Sequence, residues 1–412
     1  MPFLTSSRPP LSARRALLAL VVCASTVSAA RAEAPPKKVS LCENLGAPEQ
    51  LLATARYDAR KGCYVSSLKD GREVELTLDH DLQSQLESLL ASFGVPYGAV
   101  VATDPRTGRV LAVAERQMQK PVHGLAFKAD YPAASVFKLV TGAALLEAGI
   151  TPDDEACFHG GMHRLEARNL KDDPRRDSRC ASLSLAMGKS LNVVFGKMAE
   201  KTLAPEALRA VAGRFFFNQP LPMFPPAQTV ADAFVSPATI PDDWLGFGQT
   251  AAGFGKVYLS PLHGAVLAGT IGNGGIAVEP RIVSDVVKDG VRESAPSPHV
   301  HRIVSEATAA TLTQMMKRTV MEGTARKSFR VGRRWALGDI QVAGKTGSLA
   351  DKQPFKDYTW FVGFAPAHDP EIALSVVVVN GMKWKVKAPY VAREAFRIHF
   401  QHERDRRSRA SR

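Results

Sequence analysis

No internal repeat, collagen-like triplet or heptad run occurs in the 412 residues, despite 31 Gly and 27 Pro, which excludes solenoids, fibres and coiled coils. No CxxC pair or HExxH motif is present, so no zinc ribbon or zincin helix is signalled. Neither a zinc finger nor an aromatic-basic RNP run accompanies the basic residues, which argues against nucleic-acid binding. No apolar run reaches the ~20 residues that span a bilayer as a helix. What remains, with 45% hydrophobic and 23% charged residues, is a globular chain able to bury a full core in one large domain or two.

Acidic residues are missing from residues 1–32, which hold Arg8, Arg14, Arg15 and Arg31. Of the formal charge of +13, roughly +9 therefore belongs to the rest of the chain. Arg404, Arg406, Arg407, Arg409 and Arg412 concentrate part of that at the C-terminus, so the body is only mildly basic. Such a surface suits contact with a membrane or an anionic wall polymer. Arg14 and Arg15 precede the apolar run Ala16–Ala24, and Ala30-Arg31-Ala32 has the small residues that a signal peptidase reads. Residues 1–32 are read as an export signal, cleaved rather than kept as an anchor, which places the protein in the periplasm or cell envelope. Cys23 follows Val22 where a lipobox wants a small residue.

Four cysteines remain after that signal: Cys42, Cys63, Cys157 and Cys180, an even number suited to an oxidising compartment. Three pairings are open. The sequence-local one, Cys42 with Cys63 and Cys157 with Cys180, closes two loops of about 20 residues, each worth ~3 kcal/mol by chain entropy. A metal is the rival, because Cys157-Phe-His159-Gly-Gly-Met-His163 sets two His near a Cys. Without a second ligand motif the site is read as metal-free, and no cofactor is expected.

Residues 33–71 lack periodicity and are expected to form a short N-terminal segment with a disulfide. A main domain is expected over 72–400, followed by a basic tail over 401–412. Arg72–Leu78 alternates as a strand, and Asp81 is placed to cap a helix from Leu82 to Phe93. Tyr97–Thr103 and Arg109–Ala114 read as a hairpin about Asp104-Pro-Arg-Thr-Gly108. The stretch from about 130 to 325 is mainly helical in pattern, with a Phe/Pro-rich break from Phe215 to Pro241. Asp339–Gly344, Tyr358–Ala365 and Glu371–Asn380 are β-rich, Ser348–Pro354 reads as a turn, and Pro389–Gln401 reads as a closing amphipathic helix. The predicted fold is α+β: a central antiparallel five-stranded sheet built from both ends of the domain, covered by helices, with an inserted all-helical lobe.

Ser135 and Lys138 fall at i and i+3 at the start of an apolar helical run, so their side chains can touch. A serine hydroxyl needs a base, and a desolvated lysine can serve as one. A second element, Ser190-Leu191-Asn192, offers a hydroxyl and an amide about 55 residues on. A third, Lys345-Thr346-Gly347-Ser348, ends a strand-like run and can border a cleft. Each is weak alone, and their order and setting are specific together. Gly338 to Thr346 imitates a phosphate loop, but strand-like residues fill it and no helix follows, so nucleotide binding is excluded.

These motifs resemble the transpeptidase domain of penicillin-binding proteins, particularly class B, across roughly residues 72–400. Val74–Asp79, Asp104–Ala112, Ser260–Gly264 through Asn273–Gly275, and Met321–Ala325 look like further family landmarks. The short segment 33–71 stands where class B members usually carry a larger pedestal domain. The resemblance implies a D,D-transpeptidase acting on D-Ala-D-Ala stem peptides, with D,D-carboxypeptidase activity as its hydrolytic side, and with β-lactams as covalent inhibitors. It implies that Ser135 is the nucleophile, Lys138 its base, Ser190 a proton relay and Lys345 a source of positive field. It further implies that Asn192 and Thr346 bind substrate, that Gly347 lets substrate lie close, and that the N–H groups of Ser135 and Ser348 form an oxyanion hole. A serine β-lactamase is the alternative, disfavoured because no Glu-x-x-Leu-Asn segment is present and Asn192 stands where class D enzymes usually carry Val. A non-catalytic β-lactam receptor or cell-wall scaffold is the third reading.

Overall fold

Nine successive residues from Ile372 to Asn380 are all buried, and their alternation organises the molecule. Ile372, Leu374, Val376 and Val378 point into one apolar cluster, while Ala373, Val377 and Val379 point into another. A strand wholly covered on both faces needs apolar residues at both parities, which explains the unbroken run. The computed structural model describes residues 40–118, 124–162, 164–226, 234–383 and 385–410. The export signal read over 1–32 and His163 lie outside the described residues, as do 227–233 of the Phe/Pro-rich stretch.

In chain order the strands of the two larger sheets are β1 (Arg56–Asp58), β2 (Cys63–Ser67), β3 (Glu73–Leu76), β4 (Tyr97–Thr103) and β5 (Val110–Gln117). They continue with β6 (Val283–Lys288), β7 (Val291–Ser294), β8 (Ala343–Lys352), β9 (Phe355–Ala365) and β10 (Ile372–Asn380). The central sheet runs β8-β9-β10-β4-β5, antiparallel throughout, so β10 from the C-terminal end pairs with β4 from the N-terminal end. This is the five-stranded sheet read from the sequence. Helices His80–Ser92 and Ala388–Ala410 cover one face; Pro261–Gly272, buried on nearly every side, lies on the other. Beyond it the helices Lys138–Glu147, Leu183–Lys189, Asn192–Thr202 and Trp244–Ala251 form the inserted lobe. That lobe is mainly rather than wholly helical, because Glu155–Phe158 and Arg179–Ser182 pair as a two-stranded ribbon. Among the described residues no helix is long and apolar enough to cross a membrane.

Several local expectations are corrected. Within the described part of the expected N-terminal segment, residues 40–71, β1 and β2 extend β3 into a second sheet, β1-β2-β3-β6-β7, which satisfies backbone groups that an isolated hairpin would leave to water. The strands β6 and β7, from the stretch read as mainly helical, complete that sheet. The cap of His80–Ser92 is Asp79, not Asp81; its carboxylate accepts from Leu82 N–H at 2.9 Å, the reach of a residue three positions back. Strand β8 begins at Ala343 and runs through the predicted turn to Lys352, because each of its residues finds a partner on β9. Only Gln353-Pro354 remains to turn the chain. The closing helix continues past Gln401 to Ala410, where Arg406 pairs with Asp79 and Gln85 with His402 at 2.7 Å.

Cys157 and Cys180 form a disulfide across the ribbon, but Cys42 and Cys63 are free thiols. Cys42 Sγ lies beside the carbonyls of Glu293 and Ser294 on β7, whereas Cys63 begins β2. Two strands, β3 and β6, stand between them, and at ~4.8 Å per strand the gap exceeds what a disulfide spans.

Alkylation of the denatured, unreduced protein followed by peptide mapping is expected to label Cys42 and Cys63, and to label Cys157 and Cys180 only after reduction. A Cβ added at Gly344 would lie 2.2 Å from Phe361 Cζ, inside the covered sheet. Gly344→Ala is therefore expected to lower stability by about 1–3 kcal/mol, read as a lower Tm.

Candidate active site

Ser135 sits in a 3-10 turn, Ala134–Phe137, that runs directly into the helix Lys138–Glu147. The tighter 3-10 pitch eclipses residues i and i+3, which stacks Lys138 over Ser135. Lys138 Nζ lies 2.9 Å from Ser135 Oγ. The turn is pressed into place: Ala134 has a left-handed φ of 49°, and a Cβ at Gly253 would lie 2.4 Å from the Ala134 carbonyl oxygen. Only glycine allows that approach.

Lys138 is fully buried. Its amine donates to Asn192 Oδ1 at 2.7 Å and to the Ala252 carbonyl, and it lies 5.6 Å from the centroid of the Phe195 ring. Burial, with repulsion from Lys345 added, holds its pKa well below the ordinary lysine value. Asn192 and Ala252 present acceptors only. A neutral amine has two N–H groups and one lone pair, so once both N–H groups are engaged the lone pair is left for the Ser135 hydroxyl proton.

Ser190 ends the helix Leu183–Lys189 in the left-handed conformation, φ 57° and ψ 44°. That is glycine's usual place at a helix end; a serine there costs on the order of 1 kcal/mol and turns its hydroxyl into the cleft. Lys345 on β8 donates to Ser190 Oγ at 2.9 Å and to its neighbour's carbonyl, Thr346 O, at 2.9 Å. Burial lowers its pKa to about 7. Thr346 is buried and hydrogen-bonds the Thr324 hydroxyl. Ser348 is exposed on β8, the edge strand of the central sheet, where alternate N–H groups lack a strand partner.

The structure thus brings together two neighbouring hydrogen-bonded groups, Ser135–Lys138–Asn192 and Ser190–Lys345, close enough for the two lysines to repel one another, with Thr346 beside them. Gly347 also has a close neighbour within the protein. A Cβ there would lie 3.1 Å from Ala133 O and 3.2 Å from Trp360 Cβ, so its bareness lets β8 pack against the Ser135 turn. The carbonyls of Ala252 and of Met162, which accepts from Asn192 Nδ2 at 2.6 Å, carry no residue-type signal and could not be found from sequence. Thr324 lies in the Met321–Ala325 landmark, though no role was attached to it.

Residues 98–397 match the family model of the penicillin binding protein transpeptidase domain. The peptidoglycan D,D-transpeptidase PbpA of Mycobacterium tuberculosis is 32% identical over 325 residues, covering 70% of this chain and 63% of that protein. The chain therefore spans less than two thirds of that relative's length. The crystal structure of PBPA from M. tuberculosis superposes with a TM-score of 0.64 at 26% identity, covering 80% of this chain and 82% of the other. The imipenem acyl-enzyme complex of the same protein gives 0.62 at 27% identity, covering 80% of each. Both the extent of the family match and the identity to PbpA lead to one assignment: the chain belongs to the penicillin-binding protein transpeptidase domain family.

Proposed function

We propose that this protein is a serine-type D,D-transpeptidase that cross-links peptidoglycan through an acyl-enzyme. The observation that carries the reading is the buried Lys138 amine, 2.9 Å from Ser135 Oγ with both its N–H groups engaged elsewhere. Ser135 Oγ attacks the carbonyl carbon of the terminal D-Ala-D-Ala bond while its proton passes to Lys138. The N–H groups of Ser135 and Ser348 receive the oxyanion, a contribution of roughly 3 kcal/mol per donor in serine hydrolases. Ser190 gives its proton to the departing D-Ala nitrogen and regains one from Lys345. Asn192 holds a substrate amide, and Thr346 holds the terminal carboxylate. An acceptor amine then resolves the ester; water in its place gives D,D-carboxypeptidase activity.

A β-lactam presents the same carbonyl to Ser135 and keeps its leaving group tethered, so the protein is a covalent target of these drugs. Residues 1–32, read as an export signal, fit a periplasmic or envelope location where stem peptides are found. The basic C-terminal residues suit peripheral contact with membrane or anionic wall polymer.

Incubation with a fluorescent penicillin, followed by intact mass over hours, is expected to give one persistent adduct on the parent and none on Ser135→Ala. Rapid loss of the adduct with hydrolysed drug would instead establish a β-lactamase, and a folded parent without adduct would leave a scaffold. Lys138→Met is expected to slow acylation by about 10²- to 10⁴-fold. The acylation rate should also be bell-shaped in pH. It rises as Lys138 loses its proton, well below the ordinary lysine range, and falls with a midpoint of about 7 as Lys345 loses its own. Lys345→Arg, which stays charged, should remove the alkaline limb at a lower plateau.

A further inference from the structure

The orientation of the Asn192 amide decides which atom faces Lys138, and a group outside the cleft fixes it. Asn192 Nδ2 donates to Met162 O at 2.6 Å, which leaves Oδ1 toward the lysine. Met162 ends the loop that leaves the disulfide ribbon. That loop lies directly on the helix carrying Asn192: Gly161 has φ 66°, and a Cβ there would lie 2.8 Å from Val193 Cβ. From the other side Asn169 Nδ2 donates to His159 O at 3.1 Å.

The ribbon is tied to the same helix by buried charge. Lys197, fully buried, donates to Cys157 O at 2.9 Å, to Asp177 Oδ2 at 2.7 Å and to Asp172 Oδ1 at 3.2 Å. Asp177 Oδ1 pairs with His159 Nδ1 at 2.5 Å. Cys157 is itself bonded to Cys180, and two residues after Cys180 comes Ser182, which caps the helix ending at Ser190. One cross-linked ribbon thereby feeds both the helix that presents Ser190 and the loop that grips Asn192. A buried lysine with this full set of partners is expensive to desolvate unless its geometry is kept.

We propose that the Cys157–Cys180 ribbon, locked to the helix Asn192–Thr202 by Lys197 and Asp177, is a clamp that holds the Asn192 amide in its catalytic orientation. Lys197, Asp177 and Gly161 are positioning residues; none touches the reacting atoms. The proposal rests on the reading of Ser135 as an acylated nucleophile.

The test compares second-order acylation by penicillin G, as a function of pH, for the parent, Gly161→Ala, Lys197→Met and the Cys157→Ala/Cys180→Ala double variant, with a thermal melt for each. The rate is expected to fall by about 10- to 100-fold in the folded variants. The acid limb should also move to lower pH, because Lys138 loses an acceptor that favours its proton. A merely structural role would scale the profile without moving that limb. Gly161→Ala carries no charge change, and reduction of the exposed disulfide in folded parent protein opens the ribbon without any substitution, so a variant that fails to fold leaves two arms standing. Folded Gly161→Ala and reduced parent that both keep the parent rate and limb overturn the clamp alone. A folded parent that takes no penicillin at Ser135 overturns the functional reading and the clamp with it.

Discussion

Two lysine amines share one cleft, and among the described residues neither is paired with a carboxylate. Removing an ammonium group from water without a counterion is among the most costly steps a fold can take, and proteins usually avoid it by adding an acid or by releasing the proton. Here an acid would hold Lys138 charged and useless as a base. The cleft instead offers neutral acceptors, Asn192 Oδ1 and the Ala252 carbonyl, and sets Lys345 near enough to repel a second charge. The penalty is visible in the linkage of Lys345. Its folded pKa of about 7 lies below the unfolded value of 10.5. The unfolded chain therefore binds more protons between those values, so the group opposes folding fully at pH below about 7 and progressively less as pH rises toward the ordinary lysine value.

The large apolar lobe and the doubly covered sheet supply the stability that this arrangement consumes. Strain is concentrated where the cleft needs it. Ala134 and Ser190 both occupy left-handed backbone conformations that non-glycine residues seldom adopt. Ala134 precedes Ser135, Ser190 itself carries the hydroxyl turned into the cleft, and each is held by another element: Gly253 against the first, Lys345 bonded to the second. Rigid elements on both sides determine the site, which is why short motifs far apart in the chain can be placed to within a hydrogen bond.

Much of this was legible beforehand. The turn chemistry between Tyr97–Thr103 and Arg109–Ala114 and the β-rich run Glu371–Asn380 pointed to the sheet, and the i, i+3 spacing of Ser135 and Lys138 gave the central pair. Features that depend on tertiary contact were not legible. Strand β8 runs on to Lys352 only because β9 lies alongside, and no local signal in Ser348–Lys352 announces it. Cys42 and Cys63 have the spacing of a bonded pair, but the sheet parts them. Asp79 and Asp81 are both acceptable caps by residue type, and backbone geometry alone chose the first. The carbonyls of Met162 and Ala252 belong to any residue and could be recognised only after folding.

The pairing of β10 with β4 joins residues more than 250 positions apart, with the nucleophile, the ribbon and most of the helical lobe strung between them. During synthesis the first hairpin of the central sheet, β4 with β5, emerges with an unpaired edge and must wait for nearly the whole chain before that edge is filled. Such long loop closure makes for slow assembly and a prolonged interval in which a bare β-edge is available to wrong partners. Ser135, the proposed nucleophile, is therefore built into the chain early and meets its full set of neighbours late, since the strand that brings Lys345 is among the last to arrive. The order of the motifs along the chain thus delays the chemistry until the sheet that supports it can close.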